Sequence, residues 1–345
     1  MNRRDFLYRL GATGTLLATF PQTLKSAPAA PAVKPIAGSW FEFQHHGTVQ
    51  GVDWNPQCAR FTCGQWDAKV REIAATGMEY LVLMATALDY RSFYPSQIFP
   101  SWQLACPDPL EAVLSAADDC GVKFFIGAGF YGDWQSVDTI SDLLATKKTL
   151  QAMEELAKLY GHHKSFYGWY WPNEAYIHPY FPEPYLHYAN TCSQQARRLT
   201  PKAPILIAPY GTRVAVPDDK YVQQLAALDV DIIAYQDEVG VCKSSPAETP
   251  ALFEGLRKAH DRAQRSAIWA DVEIFRFEAS VYKSPALPAP WERVQKQLEA
   301  VSPFVDKILV YQYQGMMNKP DSKAFCGPPD STSLYKGYMD WLKNR

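Results

Sequence analysis

Two glutamates stand at the ends of apolar segments, where a carboxyl group could take part in chemistry. Glu174 ends the segment WYWPNE, and Glu273 ends the segment WADVE. A protonated carboxyl group can help a leaving group depart, while an ionised one can attack a carbon atom. Cleavage of a glycosidic bond with retained configuration needs such a pair about 5 to 5.5 Å apart. The sequence therefore offers a candidate carboxyl pair, provided that the fold brings the two glutamates together.

The segments around these glutamates belong to a regular alternation of strands and helices. Helix starts are marked by a capping box at Thr62 and Gln65 and by Asp108 before Pro109. Apolar runs predict strands over residues 39–44, 78–85, 122–128, 166–171, 204–208, 231–236, 268–273 and 307–312. About eight strand-then-helix units predict an α/β fold, a single (β/α)₈ barrel over residues 33–345. A doubly wound sheet is the alternative, because it gives the same local patterns with a different count.

In such a barrel the functional side chains stand at the carboxyl ends of the strands. Glu174 would follow the fourth strand and Glu273 would end the seventh, across the barrel mouth from each other. Trp171 and Tyr176 flank Glu174, and apolar surroundings of this kind would raise its pKa. Sugar rings pack on aromatic rings, and Tyr210 is one candidate. The residues expected to bind substrate are Gln44, His45, Tyr131, Trp134, Trp171, Asn173, Tyr235, Gln236, Asp237, Gln312 and Tyr313.

The WYWPNE and WADVE segments resemble the strand ends of the 4/7 barrels, which form clan A of the retaining glycoside hydrolases. The resemblance implies that Glu174 is the acid/base and that Glu273 is the nucleophile. It also implies that Asn173 donates a hydrogen bond to the sugar 2-hydroxyl, and that a tyrosine, here Tyr235, steadies the nucleophile. Over its whole length the chain resembles a domain family of glycosyl-hydrolase-like barrels, DUF4434.

The chain departs from the clan A pattern at two predicted strand ends. Members of the clan usually carry an arginine near the end of strand two, where this chain has Met84, Ala85 and Thr86, with Arg91 several residues later. They also carry a tryptophan at the end of strand eight, where this chain has the segment QYQ at 312–314. The contacts to the sugar ring are therefore expected to differ from those of the clan.

Other acidic residues at predicted strand ends compete with the two glutamates. Asp237 and Glu238 follow strand six and could supply an inverting base about 6.5 to 9.5 Å from the acid. Alternatively, this acidic pair could form an ion pair with a loop arginine such as Arg213. Asp271 precedes Glu273 by two residues and so faces the same barrel interior, where hydrogen bonding within the core is the expected role.

No cofactor and no metal are expected. A mononuclear metal site built from His45, Glu174, Asp271 and Glu273 stays open, although nothing in their spacing requires one. Two other functions therefore compete with glycoside hydrolysis. One is a carbohydrate-binding barrel without turnover, and the other is a metal-dependent lyase or isomerase on the same fold.

Three further motifs are assigned structural roles. The segment GAGFYG at 127–132 matches a dinucleotide-binding pattern, but no apolar helix start follows it. We therefore expect a loop whose glycines allow close contact between backbones. His162 and His163 at a helix end are expected to be structural, and His260 on a helix is expected to be solvated.

The cysteines and the overall charge narrow the possible partners. Seven cysteines show no CxxC motif, which disfavours a zinc site; Cys58 and Cys63 could form a disulfide, and a reduced, buried state is the alternative. The formal net charge is −2, and removal of the first 30 residues, with four basic and one acidic side chain, would make it −5. We therefore expect a carbohydrate substrate and no binding to nucleic acid or an anionic membrane. The oligomeric state stays open.

The first 32 residues differ in composition from the rest of the chain. The segment NRRDFL at 2–7 resembles the twin-arginine export motif, and residues 11–20 form an apolar stretch too short to span a bilayer. An Ala/Pro-rich segment at 26–32 then has the composition of a cleavage region and linker. The sequence predicts a signal peptide and linker over residues 1–32, and a periplasmic or extracellular location.

Overall fold

Eight parallel strands close into a barrel in the computed structural model, which describes residues 32–133 and 137–345. Each strand pairs with the next one along the chain, and the last pairs with the first, for example through Ile36 and Ile308. The predicted (β/α)₈ barrel is therefore confirmed. The strands are β1 (Ile36–Phe41), β2 (Tyr80–Leu83), β3 (Lys123–Gly127), β4 (Phe166–Tyr170), β5 (Ile205–Ile207), β6 (Ile232–Gln236), β7 (Ala267–Glu273) and β8 (Lys307–Tyr311).

A long helix follows each strand and covers the outside of the barrel. The capping box of the first helix forms as predicted, since the Thr62 hydroxyl accepts the N–H of Gln65 and the Gln65 side chain accepts the N–H of Thr62. The helices are α1 (Cys63–Ala74), α2 (Pro109–Cys120), α3 (Leu143–Tyr160), α4 (Glu183–Leu199), α5 (Asp219–Ala227), α6 (Thr249–Ala263), α7 (Trp291–Val301) and α8 (Ser331–Lys343). Within the described ranges, no helix is long and apolar enough to cross a membrane.

Short elements extend the loops at the carboxyl ends of the strands. One-turn helices lie at Asn55–Cys58 and Tyr313–Met316, and a 3₁₀ helix lies at Val137–Ser141. Antiparallel pairs join Ala87–Leu88 to Arg91–Ser92 and Phe275–Phe277 to Ala286–Pro288. The second pair follows β7, and we call residues 275–288 the β7 hairpin.

Aromatic side chains fill the barrel interior near the strand starts. The Trp269 ring packs edge to face with Tyr80 and Phe125, and the Tyr80 and Phe125 rings are tilted to each other, with centroids 5.1 to 6.2 Å apart. The Lys123 and Lys307 ammonium groups lie 5.1 and 5.0 Å from the centre of the Tyr80 ring. Because this layer closes the lower end, the open space of the barrel lies towards the carboxyl ends.

The first strand ends three residues earlier than the sequence predicts. Residues 39–44 were the expected strand, whereas β1 ends at Phe41. The main-chain N–H and C=O of Glu42 bond the side-chain amide of Gln314 instead of a neighbouring strand. A side chain from beyond β8 therefore ends β1 and fixes the position of Glu42.

The glycine-rich segment after β3 is a loop, as predicted. A Cβ atom on Gly127 would lie 2.3 Å from the carbonyl oxygen of Leu83, and Gly129 has a φ of +98°. Both positions therefore need glycine, one for close approach and one for its backbone conformation. The segment belongs to the barrel rim and opens no long helix directly.

The predicted disulfide partner of Cys63 and the predicted exposure of His260 are both wrong. Cys63 is bonded to Cys106, while Cys58 ends a one-turn helix with its thiol in the core. His260 is buried, with Nε2 3.0 Å from the Tyr235 hydroxyl and Nδ1 3.0 Å from the carbonyl oxygen of Ser266. The orientation of the surrounding elements decided both features, and local sequence carries no record of it.

Candidate active site

A pocket with a cavity volume of about 130 Å³ opens at the carboxyl ends of the strands. Its walls come from the ends of β4, β6, β7 and β8, from the loops after β1, β2 and β6, and from the β7 hairpin. Three acidic residues line it: Glu174, Asp271 and Glu273. Polar contributions come from His45, His46, Gln50, Gln236 and Tyr311, and apolar ones from Met84, Val241, Phe275, Phe277 and the ring of Tyr282.

Glu174 follows β4 and reaches the pocket beside Gln236. Tyr170, the last residue of β4, has its hydroxyl 3.5 Å from Glu174 Oε1, which is a weak hydrogen bond. Burial raises the pKa of Glu174 to about 7, against the opposing effect of hydrogen bonds from Gln236 and Tyr170. Glu174 is therefore a carboxyl group that holds its proton up to neutral pH, as a general acid must.

Glu273 is the last residue of β7 and has 4% of its surface exposed. Its Oε2 accepts the main-chain N–H of Val241 at 2.8 Å. Burial, and then the negative charge of Asp237, raise the pKa of Glu273 to about 8. The N–H of Val241 fixes the carboxyl group against the loop after β6, where Glu273 lines the pocket.

Asp237 lies behind Glu273 and does not line the pocket. Its Oδ1 accepts the N–H of Glu273 at 3.1 Å and the N–H of Val239 at 3.2 Å, and its Oδ2 accepts the Gln297 amide at 2.7 Å. The predicted substrate contact through Asp237 is therefore wrong, because both oxygens are occupied by the groups that hold the end of β7. Burial raises its pKa to about 6.

Glu238, the other member of the rival pair, is also buried outside the pocket. It lies 3.6 Å from the Lys243 ammonium group and accepts the main-chain N–H of Arg213 at 3.4 Å. Glu238 therefore forms an ion pair, as one alternative from the sequence proposed, but its partner is Lys243. Arg213, the expected partner, contributes only its main-chain N–H. A role as inverting base is not supported by this position.

Asp271 faces the pocket from β7, with 3% of its surface exposed. Among the described residues, no group hydrogen-bonds to its Oδ1. Hydrogen bonding within the core, the role expected from sequence, does not satisfy this oxygen. Burial, together with the charges of Glu273, Glu174 and Asp237, raises the pKa of Asp271 well above its usual value.

Glu42, which follows β1, is the centre of a complete hydrogen-bond network beside the pocket. The His45 imidazole and the Trp54 indole lie 3.1 Å from Glu42 Oε1, and the Gln312 amide lies 2.6 Å from it. Burial opposes ionisation, but the charge and hydrogen bond of His45 and the bond from Gln312 lower the pKa of Glu42 to about 2. The charge of Glu42 in turn outweighs burial and raises the pKa of His45.

Three of the predicted substrate-binding residues reach this pocket or its neighbour. His45 and Gln236 line the pocket itself. Gln44 lines a small adjoining cavity of about 10 Å³ that shares Met84 and His46 with it. These residues stand on the interior side of the rim, as the barrel geometry predicts.

Three predicted aromatic contacts are wrong because the rings face the helices. The Tyr235 hydroxyl lies 2.8 Å from that of Tyr221 on α5, so it cannot steady Glu273. Successive residues of a strand point to opposite faces, and Gln236 has the interior position. The Trp171 indole donates to Ser193 on α4 at 3.4 Å. Tyr313 is fully buried against the Lys69 ammonium group, which lies 5.4 Å from its ring.

The remaining predicted contacts are also directed away from the pocket or lie outside the description. Tyr131 is buried against Phe99, and the Gln312 amide is bonded to Glu42. The Asn173 amide donates to the Tyr188 hydroxyl at 2.8 Å, and Asn173 does not line the pocket. The predicted contact through Trp134 lies outside the described residues, as does the segment predicted to be a signal peptide.

Sequence reasoning missed most of the apolar wall. Tyr311 is the last residue of β8, and counting alternate positions along that strand would have selected it in place of its neighbours. Phe275, Phe277 and Tyr282 belong to the β7 hairpin, whose position over the pocket no local pattern indicates. Tyr282 is 52% exposed and adopts a φ of +62°, an uncommon conformation for a bulky residue.

Metal binding was tested against the groups of potential ligands. Within the described ranges, two groups bring three ligand atoms within 4.8 Å of one another: Glu42 with His45 and His46, and Glu111 with His162 and His163. In the first, Glu42 and His45 are already bonded to each other and to Gln312, Trp54, Gln50 and Tyr311. In the second, His163 bonds Asp118 and Glu111, which agrees with the expected structural role. The set of His45, Glu174, Asp271 and Glu273 is not among these groups.

Solved structures with the same fold include several proteins that act on sugars. A protein from Bacteroides thetaiotaomicron, provisionally assigned as an α-L-fucosidase, has a TM-score of 0.72 and 18% identity; the match covers 96% of this chain and 100% of that one. The endo-β-1,4-mannanase from Thermotoga petrophila has a TM-score of 0.61 and 11% identity, with 91% and 77% covered. The endo-1,4-β-mannanase from Rhizomucor miehei has a TM-score of 0.56 and 9% identity, with 90% and 96% covered.

These similarities establish a barrel of the type found in glycoside hydrolases. At such identities they carry the fold alone. No curated protein is similar in sequence to the chain. The family profile described as a domain of unknown function, DUF4434, matches residues 36–324, which span the barrel from β1 to beyond β8. The resemblance stated from the sequence is thereby confirmed: the chain belongs to the DUF4434 family.

Proposed function

We propose that this protein is a retaining glycoside hydrolase in which Glu174 is the acid/base and Glu273 is the nucleophile. The observation that carries the proposal is that these glutamates, which stand 99 positions apart in the sequence, line the same pocket. Hydrolysis with retention needs two carboxyl groups on either side of one sugar carbon. The ends of β4 and β7 supply them from separate parts of the closed sheet.

The reaction would proceed in two displacements at the anomeric carbon. Glu273 attacks this carbon while its bond to the leaving oxygen breaks, and the proton of Glu174 passes to that oxygen. A water molecule then gives a proton to Glu174 and attacks the same carbon, which releases Glu273 as a carboxylate. Each glutamate ends the cycle in the state in which it began.

The raised pKa values set the pH range of this cycle. The values of about 7 for Glu174 and about 8 for Glu273 mean that the two carboxyl groups together hold a single proton only in a narrow range near neutral pH. The reactive form, in which Glu174 holds this proton and Glu273 is ionised, is the less populated of the two singly protonated forms, because Glu273 has the higher pKa. The N–H of Val241 stabilises the ionised form of Glu273, because it donates to the carboxylate.

The composition of the pocket wall supports a sugar as the substrate. Met84, Val241 and the β7 hairpin supply apolar surface, while His45, His46 and Gln236 supply polar groups. A pyranose ring has apolar C–H faces and a rim of hydroxyl groups, so it needs both kinds of surface.

The proposal is tested with a panel of aryl glycosides and the variants Glu174→Gln and Glu273→Gln. We expect Glu273→Gln to lower kcat by roughly 10³-fold or more, and Glu174→Gln by roughly 10²- to 10⁴-fold. Glu254→Gln is the matched control, because Glu254 is exposed on α6 and pairs only with Lys258. Full activity in both active-site variants would end the proposal.

Further measurements separate the roles and the competing functions. With a good aryl leaving group, added azide should restore turnover to Glu174→Ala and give a glycosyl azide of retained configuration. Azide should not give this retained product with Glu273→Ala. NMR of the first-formed sugar anomer distinguishes retention from inversion. Sugar binding without turnover by the native protein would favour a carbohydrate-binding barrel, and loss of activity on chelation would favour a metal enzyme.

We also propose that the protein acts outside the cytoplasm, after removal of the N-terminal segment. The basic, apolar and Ala/Pro-rich regions of residues 1–32 support this proposal. Replacing Arg3 and Arg4 with lysine should keep the protein inside the cell if the twin-arginine motif directs export. N-terminal sequencing of exported protein should place the new terminus before β1.

A further inference from the structure

Asp271 stands deeper in the pocket than the two glutamates proposed to react. It precedes Glu273 by two residues on β7, and a strand rises about 3.3 Å per residue, so it lies about 6.6 Å further into the barrel. It lines the same pocket and is 97% buried, with 3% of its surface exposed. Asp271 therefore forms part of the pocket floor.

The floor position leaves one oxygen of Asp271 without a partner. No hydrogen-bonding group of the described part of the chain reaches Oδ1, whereas its neighbour Asp237 has both oxygens satisfied. A buried polar atom without a partner costs roughly 1 to 3 kcal/mol, so such atoms are retained where a ligand completes them. The partner must come from the pocket, since Asp271 has protein on its other sides.

The charges around the pocket limit what this partner can be. Glu174, Asp271 and Glu273 are acidic and line one cavity. Of the lining groups that can be cationic, His45 is paired with Glu42, and burial lowers the pKa of His46 to about 3, so it is neutral. Outside the wall, the Lys243 ammonium group is 3.6 Å from Glu238.

The Arg293 guanidinium group is also directed to the backbone. Arg293 donates to the main-chain carbonyl oxygens of Glu273 and Phe275 from behind β7. Among the described residues that line the pocket, none supplies a cation free to pair with an acid. In the reactive form Glu273 is ionised, so a sugar that carries a carboxylate or sulfate would face this like charge without a counter-ion, at a cost that low polarity increases.

We propose that Asp271 is a specificity-determining residue, which hydrogen-bonds a hydroxyl group of the sugar bound at Glu273, in a pocket that selects uncharged sugars over uronic acids. This inference rests on the proposed hydrolase function and adds to it the class of sugar. Burial and three neighbouring acids raise the pKa of the Asp271 carboxyl group well above its usual value, which favours its protonated form. It can therefore donate to the hydroxyl group as well as accept from it.

The test compares Asp271→Ala and Asp271→Asn on the aryl glycoside that the native enzyme cleaves best. We expect Asp271→Ala to lower kcat/KM by about 10- to 100-fold, as expected when a buried hydrogen bond to substrate is lost. Asp271→Asn keeps an acceptor and a donor of similar size and should stay within about fivefold of the native enzyme. Thermal unfolding checks that both variants are folded.

Monodeoxy derivatives of the same glycoside identify the hydroxyl group. Removing the contacted hydroxyl from the substrate should lower kcat/KM of the native enzyme by the factor seen for Asp271→Ala. The same deoxy substrate should cause little further loss of kcat/KM in Asp271→Ala. If every deoxy substrate lowered kcat/KM by the same factor in Asp271→Ala as in the native enzyme, the inference would be overturned. Equal kcat/KM for folded native and Asp271→Ala enzymes would overturn it as well.

The charge selection is measured with the matching aryl uronide, which differs only in its 6-carboxyl group. The native enzyme should cleave the neutral glycoside at least 100-fold more efficiently. Preference for the uronide would overturn the selection. Failure of this inference is distinguishable from failure of the hydrolase assignment, because the latter requires Glu174→Gln and Glu273→Gln to retain activity on the neutral glycoside.

Discussion

Two acidic regions at the barrel mouth are equally buried but behave in opposite ways. Glu42 is 2% exposed and Glu273 is 4% exposed. Glu42 has His45, Trp54 and Gln312 as donors, and its pKa falls to about 2. Glu273 has main-chain donors and acidic neighbours, and burial, then the charge of Asp237, raise its pKa to about 8. Because burial is nearly the same for both glutamates, their partners account for the opposite directions of the two pKa shifts.

The comparison indicates which acids serve the fold and which are kept for a ligand. The network of Glu42 joins the chain after β1 to the end of β8, where the barrel closes. The acids of the pocket lack such partners, so keeping them buried and ionised costs free energy in the folded protein. Active sites commonly retain groups that stability alone would not favour. The four predictions that follow test this contrast.

The largest effect on stability is expected for Glu42→Ala. The substitution would leave the His45 imidazole and the donors of Trp54 and Gln312 buried without their acceptor. We expect the free energy of unfolding to fall by about 3 to 5 kcal/mol, measured by urea denaturation at pH 7. The exposed control Glu254→Gln should change it by less than about 0.5 kcal/mol. A loss below about 1 kcal/mol for Glu42→Ala would contradict the contrast.

The opposite sign is expected for Glu273→Gln. The folded-state pKa of about 8 lies above the ordinary value of 4.5, so the native protein is favoured with Glu273 protonated and loses stability as pH rises from about 4.5 to 8. The neutral glutamine avoids this loss. We expect the variant to be about 2 kcal/mol more stable than the native protein at pH 9, and equal to it at pH 4. Equal stability at both pH values would show that Glu273 is not strained by its surroundings.

The pH dependence of activity should follow the same two acids. We expect kcat/KM to be bell-shaped with a maximum between about pH 7 and 8. It should fall about tenfold per unit below this range as Glu273 gains its proton, and about tenfold per unit above it as Glu174 loses its proton. With an aryl leaving group that needs no acid, Glu174→Gln should keep only the decline at low pH. A profile that is flat from pH 5 to 10 would be incompatible with this assignment.

The smallest effect is expected for Tyr235→Phe. Its hydroxyl group bonds Tyr221 and His260 among the helices, away from the pocket. We expect a loss of about 1 kcal/mol in the free energy of unfolding and a kcat/KM within twofold of the native value. A tenfold fall in kcat/KM without loss of stability would place Tyr235 in the reaction, against its position in the structure.

The strand ends show how far strand patterns predict a site. The pattern identified the strands that carry Glu174 and Glu273, because buried strands and capped helices leave strong local signals. It wrongly placed Tyr235 and Tyr313 in the pocket. Side chains alternate between the two faces of a strand, so an error of one residue exchanges the inward-facing and outward-facing side chains. It also missed Phe277 and Tyr282, because the position of the β7 hairpin depends on contacts distant in sequence.

The sequence by itself determined the eight-fold alternation, the helix caps and the strand ends that carry Glu174 and Glu273, because each of these depends on residues within a few positions of one another. Only the tertiary structure decided that Asp271 has an unsatisfied oxygen, that Asp237 supports the backbone, and that Glu42 is fully bonded. Hydrogen-bond partners and local charge come from other strands and loops. The chemistry of a buried acid is therefore a property of the closed barrel and not of the segment that contains it.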